Sequence, residues 1–276
     1  SNLDDPQGTL HWAALQGNLG ELQALLAAEP GSLKVVDSRG WTVLHWAAAA
    51  GRAQCIALLV RAGASPEARG EESHTFWVAK FQPPAAGLAA DLALLGLLDM
   101  RDSKATKGAT PLHVAAAMGH VDCVRQLLQL GIRPEAANTL GSTALHLAAA
   151  CNHVEALREL VWGGARVAAK TGTGVSPCHI AAACGSVECL LELIRLGSDI
   201  EAKTSAGTTA LHIAAMSGHS EVLTALIKAG ACLEAEGSGG TPLHYAAMTG
   251  QVETALALVA AGADMEAVSP PGAPGT

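Results

Sequence analysis

Hydrophobic and polar residues recur along this chain in a fixed order with a period of 32 to 34 residues. The clearest marker is a histidine followed by one hydrophobic residue and two alanines. It stands at His11, His45, His113, His146, His179, His212 and His244. Successive markers lie 34, 68, 33, 33, 33 and 32 residues apart, and the gap of 68 is twice 34. This spacing predicts eight repeats, of which the third is degenerate.

The fourth repeat shows how the pattern encodes two helices. Thr110 is a favourable N-cap, and Pro111 stands in the first turn, where its missing N–H costs nothing. A short alanine-rich helix then ends at Gly119, which accepts the left-handed conformation common at helix ends. Hydrophobic residues return at helical spacing from Val121 onwards and mark the buried face of a second helix. Helices this short are unstable alone, so neighbouring pairs must stack to share a core.

Two segments carry a resemblance to a known family. Residues 110–116 and 241–247 read Thr-Pro-Leu-His-Val-Ala-Ala and Thr-Pro-Leu-His-Tyr-Ala-Ala. They resemble the ankyrin signature T-P-L-H-x-A-A, which implies an all-α ankyrin-repeat solenoid with two antiparallel helices per repeat and β-hairpin-like fingers between repeats. The predicted single domain spans 1–268, with repeats at 3–36, 37–70, 71–104, 105–137, 138–170, 171–203, 204–235 and 236–268. A disordered Pro/Gly tail or linker is predicted at 269–276.

The third repeat departs from the pattern. Pro83 and Pro84 forbid a normal first helix, while residues 88–98 still offer a second one. We therefore expect the stack to continue through this repeat with its first helix shortened or replaced by a loop. The aromatic residues that precede the prolines either plug the gap left behind or form a binding platform; they are Phe76, Trp77 and Phe81.

Charge and cysteine usage narrow the class of protein. The formal charge is −8 and the 17 basic residues are scattered, which argues against nucleic acid as a partner. The seven cysteines are odd in number and none are spaced as CxxC, which argues against a disulfide framework and a zinc site. The expected setting is intracellular and cytoplasmic, with the nucleus or an organelle left open. The apolar stretch 85–98 is too short to cross a bilayer, so no transmembrane segment is predicted.

Most histidines and several cysteines occupy recurring positions of the repeat, which gives them a structural explanation. The resemblance implies that the signature histidine hydrogen-bonds the loop backbone, so no catalytic residue, metal site or cofactor is predicted. Cys55, Cys123 and Cys189 share one position in the second helix and are interpreted as buried small hydrophobes. Cys151 and Cys184 share a position near the end of the first helix. There they either meet a common ligand or oxidant or are ordinary small side chains.

The resemblance implies that partners contact the fingers and the ends of the first helices. In the fingers the candidates are Arg39, Trp41, Lys107, Leu140 and Val175, and at the helix ends they are Met118, Cys151, Cys184, Met216 and Met248. Because the helix-end positions carry no charge, we expect a mostly apolar or neutral partner segment along a concave groove. Alternatively, small residues there only permit tight curvature of the solenoid. Lysines at the finger bases leave room for an acidic flank on the partner.

The last second helix has no charge between Glu253 and Asp264. Further sequence or another chain is expected to cover it, so self-association through the C-terminal repeat is predicted. The favoured function is a non-catalytic protein–protein interaction module, such as a scaffold, an adaptor or a substrate-recruiting domain. One alternative is a targeting or chaperone-like ankyrin protein that shields an apolar segment. Another is the regulatory ankyrin domain of a larger enzyme or channel.

Overall fold

The computed structural model describes residues 9–37, 40–70 and 107–267. Within these residues fourteen α-helices form seven helix–turn–helix pairs, and no extended strand occurs. The helices are α1 Leu10–Gln16, α2 Leu19–Ala28, α3 Val43–Ala49, α4 Ala53–Arg61, α5 Pro111–Met118, α6 Val121–Gln129, α7 Ala144–Ala150, α8 Val154–Trp162, α9 Pro177–Cys184, α10 Val187–Arg195, α11 Ala210–Ser217, α12 Ser220–Lys228, α13 Pro242–Met248 and α14 Val252–Ala260. This is the helical ankyrin-repeat architecture that the sequence predicts.

The described residues divide into two compact parts. The N-terminal part contains 9–37, 40–70, 107–148 and 155–166, and the C-terminal part contains 149–154 and 167–267. In the N-terminal part, the first helices of successive pairs (α1, α3 and α5) pack side by side, and α4 packs against α6. In the C-terminal part, α9, α11 and α13 form the layer of first helices, and α10, α12 and α14 form the layer of second helices.

The two kinds of helix differ in how they are buried. All eight residues of α11 are buried, as expected for a helix that is apolar on every side. In contrast, α6 buries one face, made of Cys123, Val124 and Leu127, and turns its charged residues to solvent. Cys55 and Cys189 take the same buried position in their own helices, so the prediction that these three cysteines are small core residues is confirmed.

Most first helices among the described residues start with a reciprocal cap built from the signature sequence. The backbone N–H of Thr110 donates to Nδ1 of His113 (3.1 Å), while the Thr110 side chain accepts from the third residue of the helix. The same capping box opens α3, α9, α11 and α13. The Nε2 of His113 then bonds the carbonyl of Ser142 in the next finger (3.0 Å). The predicted hydrogen bond from the signature histidine to the loop backbone is therefore confirmed.

The recurring Glu-Ala pair after the second helices adds another bond between repeats. Glu135 accepts from both the backbone N–H and Nε of Arg166 (2.7 and 2.8 Å). Glu201 accepts from the N–H of Cys232, and Glu234 accepts from the N–H of Asp264, each at 2.8 Å. These glutamate carboxylates therefore pair with donors in the following loop.

The second and fourth repeats are direct neighbours. Helix α3 packs against α5, and Nε2 of His45 bonds the carbonyl of Ala109 (2.9 Å), as His113 does with Ser142. The backbone N–H of Gly70 also donates to the carbonyl of Ala109 (3.0 Å). The fourth repeat therefore holds the place in the stack that the sequence assigned to the third. Residues 71–106, to which that expectation refers, lie outside the described residues, as does the tail from 268.

Candidate functional site

The predicted partner-binding residues fall in two places, at the ends of the first helices and in the fingers. Each first helix ends within two residues of a residue in the left-handed conformation. Met118 and Cys151 are half-buried here, and Cys184 is exposed. Met248 is 53% exposed. These four residues form an uncharged set of accessible side chains, with Met118 in the N-terminal part and the other three in the C-terminal part.

Met216 differs from the other helix-end candidates. It lies in α11, which packs between α9 and α13, and its side chain is only 5% exposed. The equivalent Met248 lies in α13, the last first helix among the described residues, and no helix packs over its far side there. Burial in the stack therefore removes the Met216 side chain from the accessible surface, although the sequence places it among the candidates.

The finger candidates are also divided by burial. Lys107 is exposed and Leu140 is half-buried, so both are accessible to a partner. Val175 is 1% exposed, and its backbone N–H and carbonyl close its own finger on Thr171. The Val175 side chain therefore serves the core. Arg39 and the three aromatic candidates Phe76, Trp77 and Phe81 lie outside the described residues.

Trp41 is a structural residue and not a surface anchor. Its side chain is 5% exposed, and its ring stacks on His45 with the ring centroids 5.7 Å apart. The backbone of Gly70 lies close to the indole edge, since a Cβ at this glycine would stand 3.2 Å from Trp41 Cδ1. The next finger, which contains Gly70, therefore helps to cover the Trp41 side chain.

The signature histidines have little capacity for acid–base chemistry. Because a backbone N–H can only donate, Nδ1 of His113 accepts from Thr110, and the proton must reside on Nε2. Burial lowers the pKa of His45, His113, His179 and His212 to about 4, against an opposing contribution from the backbone carbonyl that each contacts. Each ring is therefore neutral near pH 7 and has both nitrogens engaged in holding the fold.

The thiols at the helix ends are poorly suited to nucleophilic chemistry. Burial, followed by the neighbouring Cys184 and Cys189 thiols, raises the pKa of Cys151 to about 12. A thiol with such a pKa is protonated near pH 7, and the thiolate is the form that attacks electrophiles or binds metals. Across the three described ranges, no group of three or more His, Cys, Asp or Glu side chains is arranged to hold a metal ion. The geometry favours the interpretation of Cys151 and Cys184 as soft, uncharged contact surface.

Positive charge lies at the finger bases of the C-terminal part. Lys170 and Lys203 are both exposed and occupy equivalent positions one repeat apart. The Nζ of Lys203 donates to the carbonyl of Glu236 (2.9 Å), which holds it close to the next finger. Two exposed lysines one repeat apart add local positive charge, which attracts acidic groups.

One residue in these turns, Asn152, was not predicted from the sequence to have a special role. Asn152 occupies the turn position held by glycine in other repeats and has a φ of 57°. Its Oδ1 accepts from the backbone N–H of Cys189 (3.0 Å), and its Nδ2 donates to the Glu188 carboxylate. The sequence did indicate this role, because asparagine is the residue that most often replaces glycine in the left-handed conformation.

No helix among the described residues combines the length and apolar character needed to cross a membrane.

Known proteins resemble this chain in its repeats. A family model described as ankyrin repeats (3 copies) matches residues 1–70, 87–171 and 174–269. The chain is 36% identical over 126 residues to a probable E3 ubiquitin-protein ligase of Oryza sativa subsp. japonica. It is 33% identical over 142 residues to the nuclear factor NF-kappa-B p105 subunit of Gallus gallus, and 34% identical over 123 residues to protein phosphatase 1 regulatory subunit 27 of Mus musculus.

These matches cover part of each protein. They span 45%, 50% and 45% of this chain, and 24%, 14% and 57% of the three relatives in the same order. The chain therefore spans less than two thirds of each relative. Since the family model matches most of the chain and the structure has the corresponding helix pairs, this protein belongs to the ankyrin-repeat family.

Proposed function

We propose that this chain is a non-catalytic protein-binding module that holds a mostly apolar or neutral segment of a partner protein against the ends of its first helices. The observation that supports this proposal is the uncharged, accessible pair at those ends in the C-terminal part, where Cys184 is exposed and Cys151 is half-buried. Thioether and thiol side chains adapt to apolar contacts of varied shape. The neutral, structurally engaged histidines leave this surface without an acid or base for catalysis.

The proposed partner segment also carries an acidic flank. The exposed Lys170 and Lys203 edge the same part of the molecule that carries Cys151 and Cys184. Charges at the rim of an interface mainly raise the association rate and select the orientation of the partner. We therefore propose a partner segment with a neutral centre and acidic residues at one end.

A second candidate function is supported by the relatives. Two of them are named as a ubiquitin ligase and as a regulatory subunit of a phosphatase, and the chain spans 24% and 57% of their lengths. Such names suggest that this chain recruits or regulates as one portion of a larger protein. This role uses the same binding surface, so the experiment below tests the surface for both candidates.

The test compares the affinity of the wild type for its partner with the affinities of two single variants, each of which introduces one glutamate. Partners are first captured from a cell lysate, and the bound segment is identified and synthesised. Calorimetry then compares the wild type with Cys184→Glu at the first-helix end and with Leu191→Glu on the outer face of α10, where the side chain is 41% exposed. Burying an unpaired carboxylate is costly, so we expect Cys184→Glu to weaken binding at least about tenfold.

The matched control distinguishes a loss of binding at the first-helix ends from a general effect of an added carboxylate. Leu191→Glu introduces the same charge in the same part of the molecule and should leave the affinity within about twofold, because changes at exposed sites away from an interface have small effects. If Leu191→Glu abolishes binding while Cys184→Glu does not, the partner binds the second helices and the proposal fails. Circular dichroism establishes that both variants are folded.

A further inference from the structure

The finger that follows the second repeat is closed by the same bond as the other fingers. The N–H of Asn138 donates to the carbonyl of Ser142 (2.9 Å), and the N–H of Thr204 donates to that of Thr208 (3.0 Å). In each case the donor and acceptor are four positions apart. The equivalent bond after the second repeat joins Gly70 to Ala109, which are thirty-nine positions apart. This finger therefore carries thirty-five additional residues between its two sides.

The bonds that join neighbouring repeats elsewhere also join the second repeat to the fourth. His120 Nε2 donates to the carbonyl of Ala49 (3.0 Å), just as His219 Nε2 donates to that of Ala183 (3.1 Å). Arg133 pairs through two nitrogens with the Glu67 carboxylate, both at 2.9 Å. The His45 bond to Ala109 and the packing of α3 on α5 are two further contacts of the kind that joins successive repeats.

The flanking sequence fits a regular finger once the additional residues are set aside. Residues 67–70 followed directly by 106–110 read Glu-Ala-Arg-Gly-Thr-Lys-Gly-Ala-Thr, and residues 135–143 read Glu-Ala-Ala-Asn-Thr-Leu-Gly-Ser-Thr. Gly108 and Gly141 occupy the same place in the two segments and have φ values of 77° and 79°. The ends of the interruption thus meet in register, as the two sides of one finger.

We propose that residues 71–105 are an insertion in the finger between the second and fourth repeats, and not a repeat of the stack. The insertion is nearly one period long, which explains why spacing alone presents it as a degenerate repeat. The second and fourth repeats already form the hydrogen bonds and helix packing of direct neighbours. The stack of helix pairs therefore does not depend on residues 71–105. The hypothesis that aromatic residues plug a gap in the stack loses its basis, because the second and fourth repeats leave no gap between them.

Deletion of residues 71–105, which joins Gly70 to Thr106, tests the proposal. The slope of the free energy of unfolding against urea concentration scales with the surface that unfolding exposes. We expect this slope, and the urea midpoint, to equal those of the full chain within error. The matched control deletes residues 171–203, a true repeat of similar length, and joins Lys170 to Thr204 in the same register. This control should lower the slope by about one-seventh, since one of seven helix pairs is lost.

A second variant tests the same proposal without creating a new peptide bond between Gly70 and Thr106. Residues 71–105 are replaced by a Gly/Ser linker of equal length, whose closure costs little because loop entropy grows slowly with length. This variant should also keep the slope and the urea midpoint of the full chain. The proposal is overturned if either variant loses as much slope as the control deletion, or if both fail to fold while the control deletion folds.

Discussion

The signature histidine acts as a neutral connector between two parts of the backbone. In His113, Nδ1 accepts from the Thr110 N–H while Nε2 donates to the Ser142 carbonyl. A second proton on the ring would place an N–H against an N–H and would bury a charge. The same arrangement of cap and loop bond is present at His45, His179 and His212.

The first prediction is a loss of stability in mild acid. Burial lowers the pKa of these four histidines from 6.5 to about 4 in the folded protein, so the unfolded chain binds more protons between those values. The stability they provide is complete above pH 6.5 and falls as the pH falls towards 4. From pH 7 to pH 5 each histidine should cost about 2 kcal/mol of the free energy of unfolding. Urea titrations at pH 7, 6 and 5 measure this change.

A single variant tests whether the buried histidines cause this loss of stability in acid. His113→Gln removes one titrating ring, so its free energy of unfolding should fall less steeply between pH 7 and 5, by close to one proton. The variant will also be less stable at pH 7, and the slope with pH is therefore the informative quantity. A wild type whose stability is constant over this range would show that the buried rings do not control it.

Surface residues were harder to predict from the sequence than core residues. The repeat register assigns Cys55, Cys123 and Cys189 to the core correctly, because a buried position is the same in every repeat. Trp41 and Met216 are among the positions that the resemblance assigned to partner contact, yet both are 5% exposed. Their burial depends on which neighbouring finger or helix covers them, and a register inferred from one sequence does not contain that information.

At the scale of helices, the turn before α10 is stabilised from the preceding repeat. Ser186 stands at the N-cap, but its hydroxyl donates to the carbonyl of Ala150 (3.2 Å) and makes no cap bond. Asn152 supplies the missing acceptor to the N–H of Cys189. It does so from the left-handed conformation, where Gly119 and Gly218 stand in their own repeats. Asn152 thus combines a turn residue and a helix cap in one side chain.

Two substitutions at Asn152 should separate these roles. Asn152→Gly keeps the backbone conformation but removes the cap, and should reduce the free energy of unfolding by about 1 kcal/mol. Asn152→Ala removes the cap and also forces a Cβ into the left-handed region, so a reduction of about 2–3 kcal/mol is expected. Chemical denaturation of both variants measures the difference. Equal losses would mean that the conformation of this turn carries no strain for alanine.

Helix boundaries followed from local rules, whereas the neighbours of each helix did not. Thr110 and Gly119 bracket α5 as the capping preferences predict, because these interactions involve residues close in sequence. The period also suggested that a third repeat lies between the second and the fourth. Periodicity counts residues but does not report contacts, so an interruption of nearly one period resembles a repeat. Contacts such as the bonds of Gly70 and Arg133 identify the fourth repeat as the neighbour of the second.

At the scale of the whole molecule, the last helix pair leaves an apolar face uncovered among the described residues. Val252 and Leu256 of α14 are 67% and 64% exposed, and Met265 is 73% exposed. In α12 the positions of Val252 and Leu256 hold Ser220 and Thr224, which are polar. Large apolar side chains grouped in this way are unusual on a surface that only meets water.

The predicted self-association of this chain is therefore tested at α14. Sedimentation equilibrium of the wild type should show a concentration-dependent increase in apparent mass, because pairing removes the exposed apolar area from water. The double variant Val252→Glu and Leu256→Glu places two carboxylates on each copy and should sediment as a monomer over the same concentrations. Leu191→Glu on α10 is the control and should associate like the wild type, since it leaves the last repeat unchanged. A wild type that stays monomeric at the highest concentration would show that the α14 face does not drive self-association, and would leave it available to a different protein.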